Sequence, residues 1–476
     1  MTDHSSLHLL IGGEKISGGG RDTIDVIDPA TAEVLGTLPK ATTDDLDTAL
    51  ANAEKGFQAW RRESADKRAA VLNKAASLLR ERAKDIGALL TKEQGKPIRE
   101  AVGEVIYSAM LLEFYAGEAK RTYGRMLVRP EGQSARVVYV PVGPIAGFAA
   151  WNFPAINVVR KVGGAIAAGC SVIVKPSEET PAAGIALVQA LLDGGVPGDV
   201  CQVVFGVPDE VSRHLLASPI IRKVTFTGST AVGKHLVKLA AEDLKVTTME
   251  LGGHAPVMVF KDSDVDTVLD TMVGAAYRNA GQVCVSPTRF LVEEDLFPAF
   301  RDGFVERAKA IAVGNGFDDA TRMGPMANAR GPEGLAKKIA DAKDKGAKLD
   351  TGGERIGNQG FFFEPTVLSE VPTNAEIMNE EPFGPIALIN PMANADAIVE
   401  EANRLPYGLA AYAWTNDPKL RSRLAADVEA GMLAINGANV SAPDAPFGGV
   451  KWSGFGREDG AEGVMHCMVA KTIHEG

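Results

Sequence analysis

The stretch Lys223–Val237, KVTFTGSTAVGKHLV, runs a short apolar strand into a glycine turn and on into a helix. Its centre, Gly228 to His235, lies one residue away from a phosphate-binding P-loop. That motif needs Ser or Thr after the lysine, because the hydroxyl ligates magnesium. Here the position is His235, a poor magnesium ligand. Two readings stay open at this level: a phosphate-holding loop, or a plain βα turn whose glycines serve tight geometry. In either case a helix N-terminus results, with Ser229 and Thr230 placed to cap it, and such an end favours a phosphate or pyrophosphate.

Outward from this turn the same grammar repeats. ARVVYVPVG, IAGFAAW, SVIVKPS and CQVVFG are short apolar runs separated by helical stretches such as Pro181 to Leu192. That alternation predicts βαβ units and a parallel sheet. Upstream, Thr42 to Arg121 is helical in pattern: Ala69, Leu72, Ala76, Leu79, Ala83, Ile86 and Leu90 recur three or four apart, and Gly95 and Pro97 punctuate the run. A second α/β region follows Gly253, with APVMVF, a helix near Val265 to Asn279, TRFLVEE, PTVLSEV, PIALIN, AAYAWTN and GMLAING. Two α/β domains facing each other across a cleft are predicted, since crevices at strand ends are where such sheets bind ligands.

The whole chain narrows the classes. Its 476 residues exceed one ordinary core. Hydrophobic residues make up 45% and charged residues 23%, and the net charge of −11 is spread without a basic stripe. Nucleic-acid binding is not expected. The start, MTDHSSLHLLIGGEKI, carries no basic, apolar leader pattern, and the apolar stretch Val162 to Val174 contains three glycines and is too short for a bilayer. The four cysteines are scattered and the seven histidines form no metal spacing, so neither a disulfide framework nor a metal site is expected. A cytoplasmic, reducing setting is the expectation.

Three places carry chemistry. In YRNAGQVCVSPTR, Cys284 follows a helix and sits in a turn, where a nucleophile is reachable. Cys170 and Cys201 open apolar strands and read as packing residues. In TTMELGGHAP, Glu250 ends a strand before two glycines, which suggests a crossing where backbone approaches a ligand and makes Glu250 a candidate base. In FAAWNFPAINVVRK, Asn152 offers a side-chain amide of the oxyanion-donor type. Nucleophile, base and oxyanion donor together suit acyl chemistry through a thioester.

The motifs AWNFP, VKPSEETP, FTGSTAVG, MELGGHAP, GQVC, EEPFGP and PFGGVKWSGFGRE stand in an order that resembles the NAD(P)-dependent aldehyde dehydrogenase superfamily, as does the 34-residue step from Glu250 to Cys284. The resemblance covers essentially the whole chain and is greatest to succinate-semialdehyde dehydrogenases. It implies a Rossmann-like cofactor domain (1–122 and 142–252), a second α/β catalytic domain (253–453), and an oligomerisation β-element with a C-terminal tail (123–141 and 454–476). It also decides the opening turn: Gly228 and Ser229 would hold a dinucleotide pyrophosphate, and the P-loop reading falls.

By the same resemblance Lys175, Ser177 and Glu178 would contact the adenosine ribose, Glu381 and Phe383 the nicotinamide ribose and ring, and Trp151 would line the pocket. A carboxylate at Glu178 favours free ribose hydroxyls, hence NAD, while neighbouring Lys175 leaves NADP open. Cys284, Asn152 and Glu250 become nucleophile, oxyanion donor and hydrolytic base. Members that release acyl-CoA generally lack that base, so a free acid is the expected product. Arg160, Arg278 and Ser441 fall where succinate-semialdehyde enzymes clamp a carboxylate, and their bland reading is structural ion pairing. Those enzymes often carry a second cysteine two positions after the nucleophile; here it is Ser286, which removes a redox switch and leaves aromatic or other aliphatic aldehydes as alternatives. A tail pairing with a hairpin over Tyr123 to Val140 implies a homodimer or homotetramer.

Overall fold

The computed structural model describes residues 3–476 and is built on two large sheets. The first has eight strands, in the order Gly454–Phe455, Val246–Glu250, Lys223–Thr227, Ile145–Phe148, Val172–Lys175, Cys201–Val203, Leu9–Ile11 and Glu14–Ile16. Its five central strands are parallel. Ile145–Phe148 and Val172–Lys175 are buried at every position, as expected of strands covered on both faces. The second sheet has seven strands, six of them parallel, and runs from Lys348–Thr351 across Ala255–Val259 to Met432–Ile435. The α/β class and the plan of two large sheets are those expected.

The helical N-terminal pattern resolves into four helices, Thr43–Trp60, Ala65–Glu81, Ala83–Gln94 and Ile98–Glu118. Thr42 and Asp45 form a reciprocal cap at the first, and Gly95, at φ 93°, ends the third. Helix Pro154–Ala168 lies against the last of them. Gly163 is required there, because a Cβ would come within 2.6 Å of the Tyr115 ring. At the opening turn, Ser229 caps helix Thr230–Ala241 by accepting from the Val232 amide at 3.4 Å. Thr230 does not cap; its hydroxyl donates to the Trp452 carbonyl at 3.3 Å.

The expected tail 454–476 divides. Gly454–Phe455 pairs antiparallel with Val246–Glu250 and closes the first sheet's edge, satisfying backbone groups that would otherwise be orphaned. Helix Gly460–Met465 packs on helix Pro154–Ala168. Only Met468–Glu475 joins the hairpin strands Ser134–Pro141 and Arg125–Leu127 in a three-stranded sheet. Met126 on that sheet, and Tyr123 and Val128 beside it, are exposed. Among the described residues no helix is long and apolar enough to cross a membrane.

Candidate active site

Cys284 is held at the end of a backbone that few sequences adopt. Asn279, Ala280 and Gly281 have φ of 53°, 53° and 67°, three consecutive left-handed residues after helix Val265–Tyr277. Such conformations persist only where surroundings enforce them. The Asn279 side chain donates to the Asn152 carbonyl at 2.9 Å, and its amide donates to Glu100 at 3.1 Å. Gln282 donates to the Asn279 carbonyl at 3.0 Å and accepts from the Ala327 amide at 2.9 Å. Tyr412 then fixes the far side by donating to the Val285 carbonyl at 2.6 Å.

Asn152 is tied into the same loop. Its Nδ2 donates to the Gln282 carbonyl at 3.1 Å, two residues before Cys284, while Asn157 donates to its Oδ1 at 3.1 Å. The amide is thereby oriented with its second N–H left for another acceptor. Below it, Lys96 donates to the Asn152 carbonyl at 2.8 Å and to Glu104 at 2.5 Å. Glu104 in turn accepts from the Ala155 amide at 2.8 Å, at the start of helix Pro154–Ala168. Lys96, Glu104, Asn157 and Asn279 escaped sequence reading, since nothing local marks a residue that acts across the fold.

The two glycines after Glu250 do mark a close approach, but to protein. A Cβ on Gly253 would lie 2.6 Å from the Cys284 carbonyl oxygen, and one on Gly252 would lie 2.4 Å from Glu381 Oε2. The Gly253 amide donates to Glu381 Oε1 at 3.1 Å. Thus the glycine pair seats the Cys284 loop and Glu381 against the strand carrying Glu250. The close approach that the two glycines signal is thus made by protein groups of the candidate site itself.

Burial pushes the half-buried Cys284 thiol up to about 12, with Glu381 and Glu250 adding to the rise and Arg160 opposing it. Burial also raises Glu381 to about 8. Glu250 is buried, and neither carboxyl oxygen has a hydrogen-bond partner among the described residues. Burial, then the Glu458 charge, hold it well above the carboxylate range, against the pull of Lys161, Arg160 and Arg457. Its carboxyl turns toward Gly448, where a Cβ would be 2.8 Å from Oε1. Lys161 is ion-paired with Glu458 beside it and donates to Thr227 at 2.7 Å. The sequence signal for this pair was present in NVVRKV and GREDG, two cations and two acids in tandem, but their meeting is tertiary.

A groove of about 740 Å³ opens at the C-terminal ends of the parallel strands. Trp151, Lys175, Ser177, Glu178, Gly228 and Ser229 line it, with Glu179, Asp209, His235 and Arg330. Lys175 is ion-paired with Glu178. The Ser177 hydroxyl donates to Glu179, which Arg330 binds at 2.7 Å. Phe383 stands outside the groove and meets the Trp151 ring edge-on at 5.5 Å. A capped helix end, a hydroxyl and a carboxylate at strand ends form a donor set that fits a dinucleotide.

Of the three expected substrate residues, the structure joins two. The Arg160 guanidinium reaches Ser441 Oγ at 3.2 Å, and Ser441 shares a 2.9 Å hydrogen bond with the Tyr107 hydroxyl. Arg278 shares no hydrogen bond with them: exposed, it lies 5.2 Å over the Phe153 ring, lines a surface groove with Arg99 and Glu100, and its charge is felt at Tyr412 beside the Cys284 loop. Arg160 is also bound by Asp459, at 2.6 Å from Nη2. The bland reading of Arg160 as an ion-pair partner is therefore realised alongside its contact with Ser441.

The sequence profile of the aldehyde dehydrogenase family matches residues 16–473. A 4-(hydroxymethyl)benzenesulfonate dehydrogenase of Comamonas testosteroni is 45% identical, over 98% of this chain and 97% of its own. The mitochondrial succinate-semialdehyde dehydrogenase of Arabidopsis thaliana is 40% identical, over 98% and 88%. A betaine aldehyde dehydrogenase of Staphylococcus aureus, solved in complex with NAD+, matches with a TM-score of 0.96 at 31% identity, over 99% and 95%. Agreement of this extent, in sequence and in three dimensions, places the chain in the aldehyde dehydrogenase family, as an oxidoreductase acting on an aldehyde.

Proposed function

We propose that this enzyme oxidises an aldehyde bearing a distal anionic group, such as succinate semialdehyde, to the free carboxylic acid. The observation that carries the substrate class is the Arg160–Ser441–Tyr107 cluster, whose arginine charge is felt at both Cys284 and Glu250. The compounds for which two relatives are named, succinate semialdehyde and 4-(hydroxymethyl)benzenesulfonate, both carry a distal anion.

In the proposed reaction the Cys284 thiol gives up its proton to solvent water, and the resulting thiolate adds to the aldehyde carbon. The oxyanion meets the free Asn152 Nδ2–H and the Cys284 amide, and losing one such donor costs about 3 kcal/mol of transition-state stabilisation. Glu381 and Phe383 would hold a nicotinamide, which when bound would supply the two-electron acceptor needed to oxidise this adduct to a thioester. Glu250 then takes a proton from water as it adds to the thioester carbon, and collapse returns the Cys284 sulfur and releases the acid. The dinucleotide would lie over Ser229, with its ribose at Lys175, Ser177 and Glu178. Glu178 supports NAD over NADP, by repelling a 2′-phosphate.

The test is NADH formation with succinate semialdehyde and with butanal, an aldehyde of equal length without the anion. Tyr107→Phe and Arg160→Lys are expected to lower kcat/KM at least tenfold more on the semialdehyde than on butanal. Equal losses, or a wild-type preference for butanal, would refute the anionic class and leave aldehyde oxidation standing. A homo-oligomer formed through the exposed hairpin is part of the same proposal, and sedimentation of Val128→Asp checks it through a shift to smaller mass.

A further inference from the structure

Arg160 already holds a carboxylate, and it is the protein's own. Nε donates to both Asp459 oxygens at 3.1 Å, and Nη2 donates to Oδ2 at 2.6 Å. The other Nη2 hydrogen is directed at Ser441 at 3.2 Å, and the Phe447 ring lies 3.9 Å from the guanidinium carbon. A carboxylate binds arginine best through two parallel N–H donors. That fork is occupied, and Nη1 remains.

Asp459 stands where backbone geometry favours another residue. Its φ of 54° with ψ of −177° is territory almost reserved for glycine. The side chain is nevertheless fully buried, and Tyr115 secures it by accepting from the Asp459 amide at 3.1 Å. Its charge also closes a local balance: Arg160 and Lys161 face Glu458 and Asp459, pair by pair. An anionic substrate end therefore meets a neutralised arginine, with a fixed carboxylate behind it.

We propose that Asp459 is a specificity-determining residue, an internal carboxylate that occupies the Arg160 fork and lowers this enzyme's selectivity for short aliphatic carboxylate semialdehydes. The anion of a productive substrate is left with Nη1 and the hydroxyls of Ser441 and Tyr107. This inference rests on the reading of Arg160 as the distal-group contact. It differs from that reading in assigning Asp459 an opposing role. Replacing Asp459 frees the fork, whereas replacing Arg160 destroys it.

The experiment compares wild type, Asp459→Gly and Asp459→Asn on succinate semialdehyde and butanal. The glycine suits the left-handed backbone and the asparagine keeps the shape, so a folding failure of one leaves the other. The ratio of kcat/KM for semialdehyde over butanal is expected to rise at least tenfold in both, through a lower KM for the semialdehyde. Added succinate is expected to raise the melting temperature of the variants more than that of wild type, since a ligand stabilises the state it binds. An unchanged or lower ratio, without greater succinate protection, overturns the role of Asp459. Wild-type preference for butanal that reverses in the variants upholds Asp459 while refuting the proposed natural substrate class. Wild-type preference for the semialdehyde with an unmoved ratio does the opposite.

Discussion

The loop that carries Cys284 and the strand end that carries Glu250 lie against one another, yet they are held in opposite ways. Around Cys284 the backbone is pinned by Asn152, Asn279, Gln282 and Tyr412, each through a hydrogen bond of 3.1 Å or less. Around Glu250 the carboxyl has no hydrogen bond among the described residues, and its state is set by burial and by the charges of Glu458, Lys161 and Arg160. In the proposed reaction Cys284 is the nucleophile and must meet its target in a narrow range of geometry, which the pinned loop suits. A base that acts on water after the acyl group forms needs freedom to turn and a tuned proton affinity. The contrast separates positioning from titration.

The largest effect expected from breaking that contrast is at sulfur. Cys284→Ala should lower turnover by about 10⁴-fold or more, as removal of a nucleophile does elsewhere. Residual aldehyde oxidation within about tenfold of wild type would sink the thioester mechanism. Glu250→Gln should separate the two steps: a stopped-flow burst of about one NADH per subunit persists, while the steady state falls by about 10² to 10⁴-fold. Loss of the burst itself would show that Glu250 serves the first step. In wild type the steady-state limb assigned to Glu250 should rise with pH above the ordinary carboxylate range, because the base works only after losing its proton.

Asn152→Ala comes next, at about 10²- to 10³-fold in kcat. Because Asn157 and the Gln282 carbonyl each lose a partner, the loop itself is also loosened. Asn152→Asp sharpens the point by keeping the shape and removing the donors. If it retains wild-type kcat, the oxyanion role is refuted and only the positioning role survives.

How much of this was readable beforehand follows the same division. Alternating strands and helices announced parallel sheets because fully buried strands are continuous apolar runs, such as IAGF and VIVK. Cys284, Glu250 and Asn152 stood out by type and by their places at turns and strand ends. What stayed hidden was every partner reached through the fold. Lys161 is 297 residues from Glu458, and Arg160 is 299 from Asp459. No periodicity encodes such meetings. The glycines at 252 and 253 signalled crowding correctly but could not say that the neighbours were Cys284 and Glu381. Arg278, at a position implied by resemblance alone, is exposed and lines a surface groove with Arg99 and Glu100.

The smallest effect concerns stability, and its sign follows from the unpartnered base. Glu250 has its folded proton affinity raised from an ordinary 4.5, by burial first and by Glu458 second. Above pH 4.5 the unfolded chain has released this proton while the native chain keeps it, so the native state binds more protons and stability falls as pH rises. The contribution is complete below 4.5 and is lost as pH climbs through the raised value; Glu381, raised to about 8, acts with the same sign. Glutamine at 250 carries no such proton. Glu250→Gln should melt close to wild type at pH 5 and on the order of 1–3 °C higher at pH 8, since effects of about 1 kcal/mol move large domains by only a few degrees. Apparent melting temperatures at one scan rate suffice, because the quantity read is a difference of slopes. Parallel slopes for the two proteins would mean that Glu250 is ionised and solvated in the native state, and the distinction between a pinned nucleophile and an electrostatically held base would fail at its second half.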